Sequence, residues 1–267
     1  MQIPLWHPSL TDSENKAIES VLQNGYLGMG RDVFEFEKNV ADEIGVSEEL
    51  VVATHTGQSA LHTIFETFHE LKEKISLVIS PSMNNIADFQ AVVNSNIELY
   101  FADCNPINGL IKFDSIPQHI CDKADGLIVL DYASNYVDLN KSREFCNKNN
   151  LKLIYDAAHT FGSVNSNRLL KADATMFSFD PVKTFTAIDA GIIVWNKINN
   201  AKVSRSIRHM GMGQDLEALK VNGRSTQYDV NFTGYRYHLS NVHAACGSAQ
   251  LKRKDEIINK RNLIARQ

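Results

Sequence analysis

Two residues in the middle of the chain have the types and surroundings for carbonyl chemistry, Asp156 and Lys183. A lysine attacks a carbonyl only while neutral, and an apolar or cationic setting keeps it neutral part of the time. Met176, Phe177, Phe179, Val182 and Phe185 supply that frame in sequence, with Asp180 the nearest acid. Asp156, in the run DAAH with His159, is a carboxylate able to hold a positive charge opposite it. Singly, each has a plainer explanation. A lone lysine after a strand is a surface lysine, the aspartate a helix cap, and the histidine a satisfied core residue.

The elements that must position them are legible as three short apolar runs. Leu151–Asp156 leads into Asp156, Ala174–Phe179 leads into Asp180–Pro181–Val182–Lys183, and Ile192–Trp195 follows. Apolar runs bounded by turn signals indicate buried strands of a parallel sheet. In such a sheet chemistry collects just past the carboxyl ends of the strands, and both residues fall there.

Composition narrows the class. A chain of 267 residues can form one large domain or two small ones. Its 43% hydrophobic and 22% charged content is that of a soluble globular protein. A formal net charge of -4, with no basic patch interleaved with aromatics, gives no reason to expect nucleic acid. The four cysteines, Cys104, Cys121, Cys146 and Cys246, form no CxxC pair, so they are expected as reduced core thiols and not as metal ligands. There is no signal-peptide pattern and no apolar run of membrane-spanning length, which sets the expectation at a cytoplasmic protein without membrane contact.

Along the chain, Thr11 and Glu14 form a capping box before Ala17, Ile18, Val21 and Leu22, and Asn24–Gly25 stops that helix. The glycine-bearing stretch Gly25–Gly30 is a loop, and a second helix runs from Asp32 to Ile44. Strands are expected at Leu50–Ala53, Leu77–Ile79, Leu99–Ala102 and Leu127–Leu130, with mixed helix and turn from Lys112 to Ala124. Thr56–Gly57–Gln58–Ser59 opens a helix continued by Ala60, Leu61, Ile64, Phe65 and Phe68, and its free N–H groups make a ready anion site. Ser142–Asn149 is a short helix, Gln214–Ser225 a flexible lid or exposed loop, and the helix holding Ala244 and Leu251 continues into a charged tail.

DAAHTFGS followed by FSFDPVK resembles the DegT/DnrJ/StrS sugar aminotransferases, pyridoxal-phosphate enzymes of the aspartate aminotransferase fold type. GYRYHLS at 234–240 and the run Arg208–Gly211 extend the resemblance over nearly all of the chain. It implies an α/β fold: a mostly parallel central sheet with helices on both faces, forming a cofactor-binding large domain over residues 1–250. Residues 251–267 would lead toward a small C-terminal domain that is largely absent. The implied reaction moves an amino group, from glutamate, to a keto group of a nucleotide-linked deoxysugar in polysaccharide or deoxysugar biosynthesis.

The resemblance also implies site roles. Lys183 would hold pyridoxal 5'-phosphate and move the proton, while Asp156 would keep the pyridine nitrogen protonated. Ser178, Gly57 and Gln58 would receive the phosphate, joined by Arg236 from the second subunit of a homodimer. His159 would lie beside the ring. Several positions depart from the family's pattern: Gln58 where threonine is usual, Asn85 where an aromatic ring stacks on the cofactor, Asp131–Ser134, Ile188–Gly191, and His238 in place of arginine. Met83 or Phe89 could replace the missing ring. Alternative readings are another fold-type I enzyme (a sugar dehydratase, a cysteine desulfurase or a lyase), and a non-catalytic cofactor-binding regulator or incomplete fragment.

Overall fold

The computed structural model describes residues 6–213, 223 and 228–267. One sheet is built from β1 (Val51–Thr54), β2 (Leu77–Pro81), β3 (Glu98–Ala102), β4 (Gly126–Leu130), β5 (Lys152–Asp156), β6 (Ala174–Ser178) and β7 (Gly191–Trp195). Their spatial order is β1-β7-β6-β5-β4-β2-β3. The pairs β2–β3, β2–β4, β4–β5 and β5–β6 are parallel. β7 is antiparallel to both β1 and β6, which corrects the expectation that Ile192–Trp195 joins a parallel run. A parallel return needs a crossover, usually helical. The connection Phe179–Ala190 holds no helix and is drawn back on itself, with Phe179 N–H donating to Ala190 O at 2.8 Å.

The helices are α1 (Asp12–Asn24), α2 (Arg31–Ile44), α3 (Gly57–Glu70), α4 (Ile86–Asn94), α5 (Gln118–Cys121), α6 (Leu139–Asn149), α7 (Ser166–Leu169), α8 (Ile198–Ile207), α9 (Asn241–Lys252) and α10 (Lys254–Ala265). The predicted capping box at Thr11 and Glu14 opens α1, and Gly25 and Gly45 close α1 and α2 at φ 80° and 73°. Backbone there is left-handed, which glycine adopts without a Cβ clash. The expected helix into the charged tail is two helices, broken at Arg253.

Each central strand feeds two cores, which is why its apolar run is continuous and not alternating. Leu153, Tyr155 and Phe177 face one side with Phe36, Phe179 and Phe185. Ile154 and Met176 face the other, with Leu61, Phe65 and Trp195. Phe161 meets the rings of Phe177, Phe179 and Phe185 at 5.2, 4.8 and 5.8 Å between centroids, so the base of the loop after β6 is held by aromatic packing. Among the described residues no helix is long and apolar enough to cross a membrane, and no His/Cys/Asp/Glu cluster could hold a metal ion. The stretch expected as a lid, Gln214–Ser225, lies outside the described residues apart from Gly223.

Glu14 ties α1 to α9 and the start of α10. It accepts from Gln250 Nε2 and Arg253 Nη1, both at 2.8 Å, as well as from Thr11 N–H at 2.7 Å. Burial works to raise its pKa, but the hydrogen bonds from Arg253 and Thr11 outweigh it and bring the pKa down to about 2. A depressed folded-state pKa stabilises the fold above the ordinary value of 4.5 and loses that contribution as pH falls toward 2. Glu14→Gln should therefore lower the melting temperature at neutral pH and flatten its fall between pH 4.5 and 2, as read by thermal melts across that range.

Candidate active site

The carboxyl ends of β1, β2, β4, β5 and β6 all reach one edge of the sheet, and a cavity of about 860 Å³ opens there. Each strand end contributes to its wall: Thr56, Gly57 and Gln58 after β1, Ser82–Asn85 after β2, Leu130 and Tyr132 at β4, Asp156 and His159 at β5, and Met176, Ser178 and Lys183 at β6. Sheet register fixes this arrangement. Asp156 is paired with Leu130 on one side and Met176 on the other, so it projects from the middle of the sheet.

Asp156 is buried at 1% exposure and accepts the Ala158 N–H at 2.9 Å. Burial raises its pKa, while the Ala158 amide, Asp88 and the Lys183 charge act to lower it. Lys183 is half-buried on a turn closed by its own N–H to Asp180 O at 3.0 Å. Asp180 Oδ1 accepts Val182 N–H at 2.9 Å, so the nearest acid in sequence is used to shape the turn. His159 keeps a solvent-facing edge, with its ring 6.3 Å from that of Tyr132. Neighbouring protein, and then the charge of Lys183, lower its pKa.

At the far end, α3 begins against β6. A Cβ on Gly57 would stand 3.2 Å from Ser178 Cβ and 3.3 Å from its Oγ, so glycine lets the helix start approach that hydroxyl closely. Thr56 caps Ser59 N–H at 3.0 Å, while the preceding first-turn amides have no partner within the helix. The cavity therefore carries an anion-accepting end at Gly57, Gln58 and Ser178, a buried carboxylate at Asp156, and an amine at Lys183.

Asn85 lines the cavity but caps α4, accepting Ala87 N–H at 2.9 Å, and offers no ring. Of its two candidate replacements, Met83 is in the wall, whereas Phe89 packs edge-on against Phe101 at 4.9 Å. Arg236 is exposed, its backbone pairs with that of His209, and it does not line the cavity of its own chain. His238, where the resemblance expects arginine, has its pKa pushed down to about 4 by burial and then by His209 and neighbouring arginines, so it carries no fixed charge. Loop 25–30 is pinned to the start of α9 by Asn241 N–H donating to Gly28 O at 3.0 Å, and it does not reach the cavity wall.

Sequence reasoning missed two features. Asp88, in the first turn of α4, is buried beside Asp156. At that position an acid looks like an exposed helix-start residue, and only the fold buries it. The other is a network under the floor. Asp131 is fully buried and accepts from Tyr155 Oη, from Val137 N–H at 2.8 Å and from Arg168 Nη2 at 2.8 Å.

A model of the DegT/DnrJ/EryC1/StrS aminotransferase family matches residues 8–267. The chain belongs to this family. Solved structures share its fold at low identity. PseC from Helicobacter pylori, an aminotransferase involved in the biosynthesis of pseudoaminic acid, matches at 23% identity and TM-score 0.85, over 96% of this chain and 67% of its own. Spr1654 from Streptococcus pneumoniae, solved in a PLP form, matches at 22% and 0.83, over 99% and 70%. A variant of GDP-4-keto-6-deoxymannose-3-dehydratase with bound GDP-perosamine matches at 20% and 0.84, over 99% and 72%. This chain thus spans about two thirds of the length of each of those structures.

Removing Arg168 would leave the Asp131 carboxylate buried without a cation. Because Arg168 is itself partly exposed, Arg168→Ala should cost somewhat less than breaking a fully buried pair, about 2–3 kcal/mol. A urea unfolding curve checks this through a lower midpoint at unchanged slope.

Proposed function

We propose that this chain transfers an amino group from glutamate to a keto group of a nucleotide-linked deoxysugar, using pyridoxal 5'-phosphate. The observation that carries the reading is the convergence of Lys183, Asp156 and the Gly57–Ser178 end in one cavity. That donor set fits the cofactor: an anion-binding end for phosphate, a carboxylate for a ring nitrogen and an amine for a carbonyl carbon. When bound, the cofactor supplies an electron-accepting ring that stabilises negative charge on the substrate carbon.

Lys183 Nζ would hold the cofactor covalently and, when free, would move a proton as general base and acid. Asp156 would accept a hydrogen bond from the ring nitrogen and favour its protonated form. Ser178 Oγ and the first-turn amides of Gly57 and Gln58 would bind the phosphate. Arg236 of the partner subunit would complete that cup in a cytoplasmic homodimer, where a guanidinium suits phosphate oxygens by charge and shape. His159, Tyr132 and Met83 line the same cavity and would border the ring, where Asn85 offers no stacking surface. A dehydratase of the same fold is the rival reading. Its expected departure is a histidine replacing the lysine, and Lys183 favours transamination.

Purified protein mixed with pyridoxal phosphate should develop the visible absorbance of lysine-bound cofactor, and glutamate should convert it to the aminated form. Lys183→Ala should lack the band. A band indifferent to glutamate would reject that donor, and no band in the unaltered protein would sink the enzymatic reading.

A further inference from the structure

Asp88 is the one buried acid of the cavity wall to which the proposed reaction gives no task. It is 2% exposed, projects from the first turn of α4, and accepts Asn84 Nδ2 at 2.7 Å. Its carboxyl lies within hydrogen-bonding reach of Asp156, itself 1% exposed. Two carboxylates this close in a desolvated site cannot both stay ionised. We propose that Asp88 and Asp156 share a single proton, with neutral Asp88 donating to the Asp156 carboxylate and positioning it as a singly charged acceptor for the cofactor's ring nitrogen.

Asymmetry between the two acids decides which one keeps the proton. Asp156 already accepts the Ala158 N–H, and Lys183 faces both carboxyls. Asp88 has the Asn84 amide on one oxygen and no backbone amide among its hydrogen-bond partners, and it faces the negative Asp156 more strongly than it faces Lys183. Burial first, and then Asp156, raise the Asp88 pKa well above 3.8. From β4, Asp131 opposes the charge on Asp156, but its own partners Arg168 and Tyr155 occupy it. Asp88 is thus a positioning residue acting through Asp156, and the cofactor part of its role rests on the proposed function.

The proton balance fixes the linkage. A carboxyl whose pKa is raised in the folded state stabilises the fold at low pH and loses that contribution as pH rises from 3.8 through the raised value.

Infrared difference spectra of the apoprotein at neutral pH test the pair without any cofactor. A carboxylic-acid carbonyl stretch should be present in the unaltered protein and absent in Asp88→Asn, whose amide keeps the donor. Melts should show the decline above pH 3.8 flattened in Asp88→Asn. With pyridoxal phosphate added, Asp88→Asn should bind within about threefold of the unaltered protein, whereas Asp88→Ala should bind at least tenfold more weakly. No acid carbonyl stretch at neutral pH, or Asn and Ala variants equal in cofactor affinity, would overturn the proposal. An acid stretch in a protein that forms no lysine-bound cofactor would sink the proposed reaction and the cofactor role of Asp88 with it, and leave the shared proton standing.

Discussion

A buried carboxylate at the end of the central strand is the constraint around which the cavity is built. Asp156 lies between Leu130 and Met176 in the sheet, where water cannot solvate it. An isolated charge in such a place is costly unless it is hydrogen-bonded and compensated. The surrounding chain answers with the Ala158 amide, the Asp88 carboxyl and the charge of Lys183. The next strand carries a second buried acid, Asp131, which Arg168 and Tyr155 satisfy separately. Keeping these acids apart leaves Asp156 turned toward the cavity and toward whatever cation enters it.

The reversal of β7 serves the same end. Because the chain returns directly after β6, the residues between the two strands form a turn at the mouth of the cavity with Lys183 on it. Phe179 and Phe185 anchor that turn in the core and meet Phe161, which follows β5. Lys183 and Asp156 are therefore tied through one aromatic cluster.

Much of this was legible in the sequence because it is local. The capping box of α1, the glycine stops at Gly25 and Gly45, the continuous apolar runs of β4, β5 and β6, and the helix opening at Gly57 are set by neighbouring residues. Lys183, Asp156, His159, Ser178, Gly57, Gln58 and Asn85 all line the cavity, whereas Arg236 lies outside its own chain's wall. What escaped depends on partners far along the chain. The direction of β7 follows from how its connection folds, not from its own apolar run. Asp88 looks like a surface residue until the fold buries it, and the motif at Arg208 gives no sign that its side chain is buried against Glu37 and the Ala53 carbonyl.

Borohydride reduction of the protein with pyridoxal phosphate, followed by digestion and peptide mass mapping, tests the central claim most directly. The account predicts one phosphopyridoxyl group, on the peptide containing Lys183, and its disappearance in Lys183→Arg. Stable labelling of a different lysine, or none above the background of exposed lysines, would contradict it.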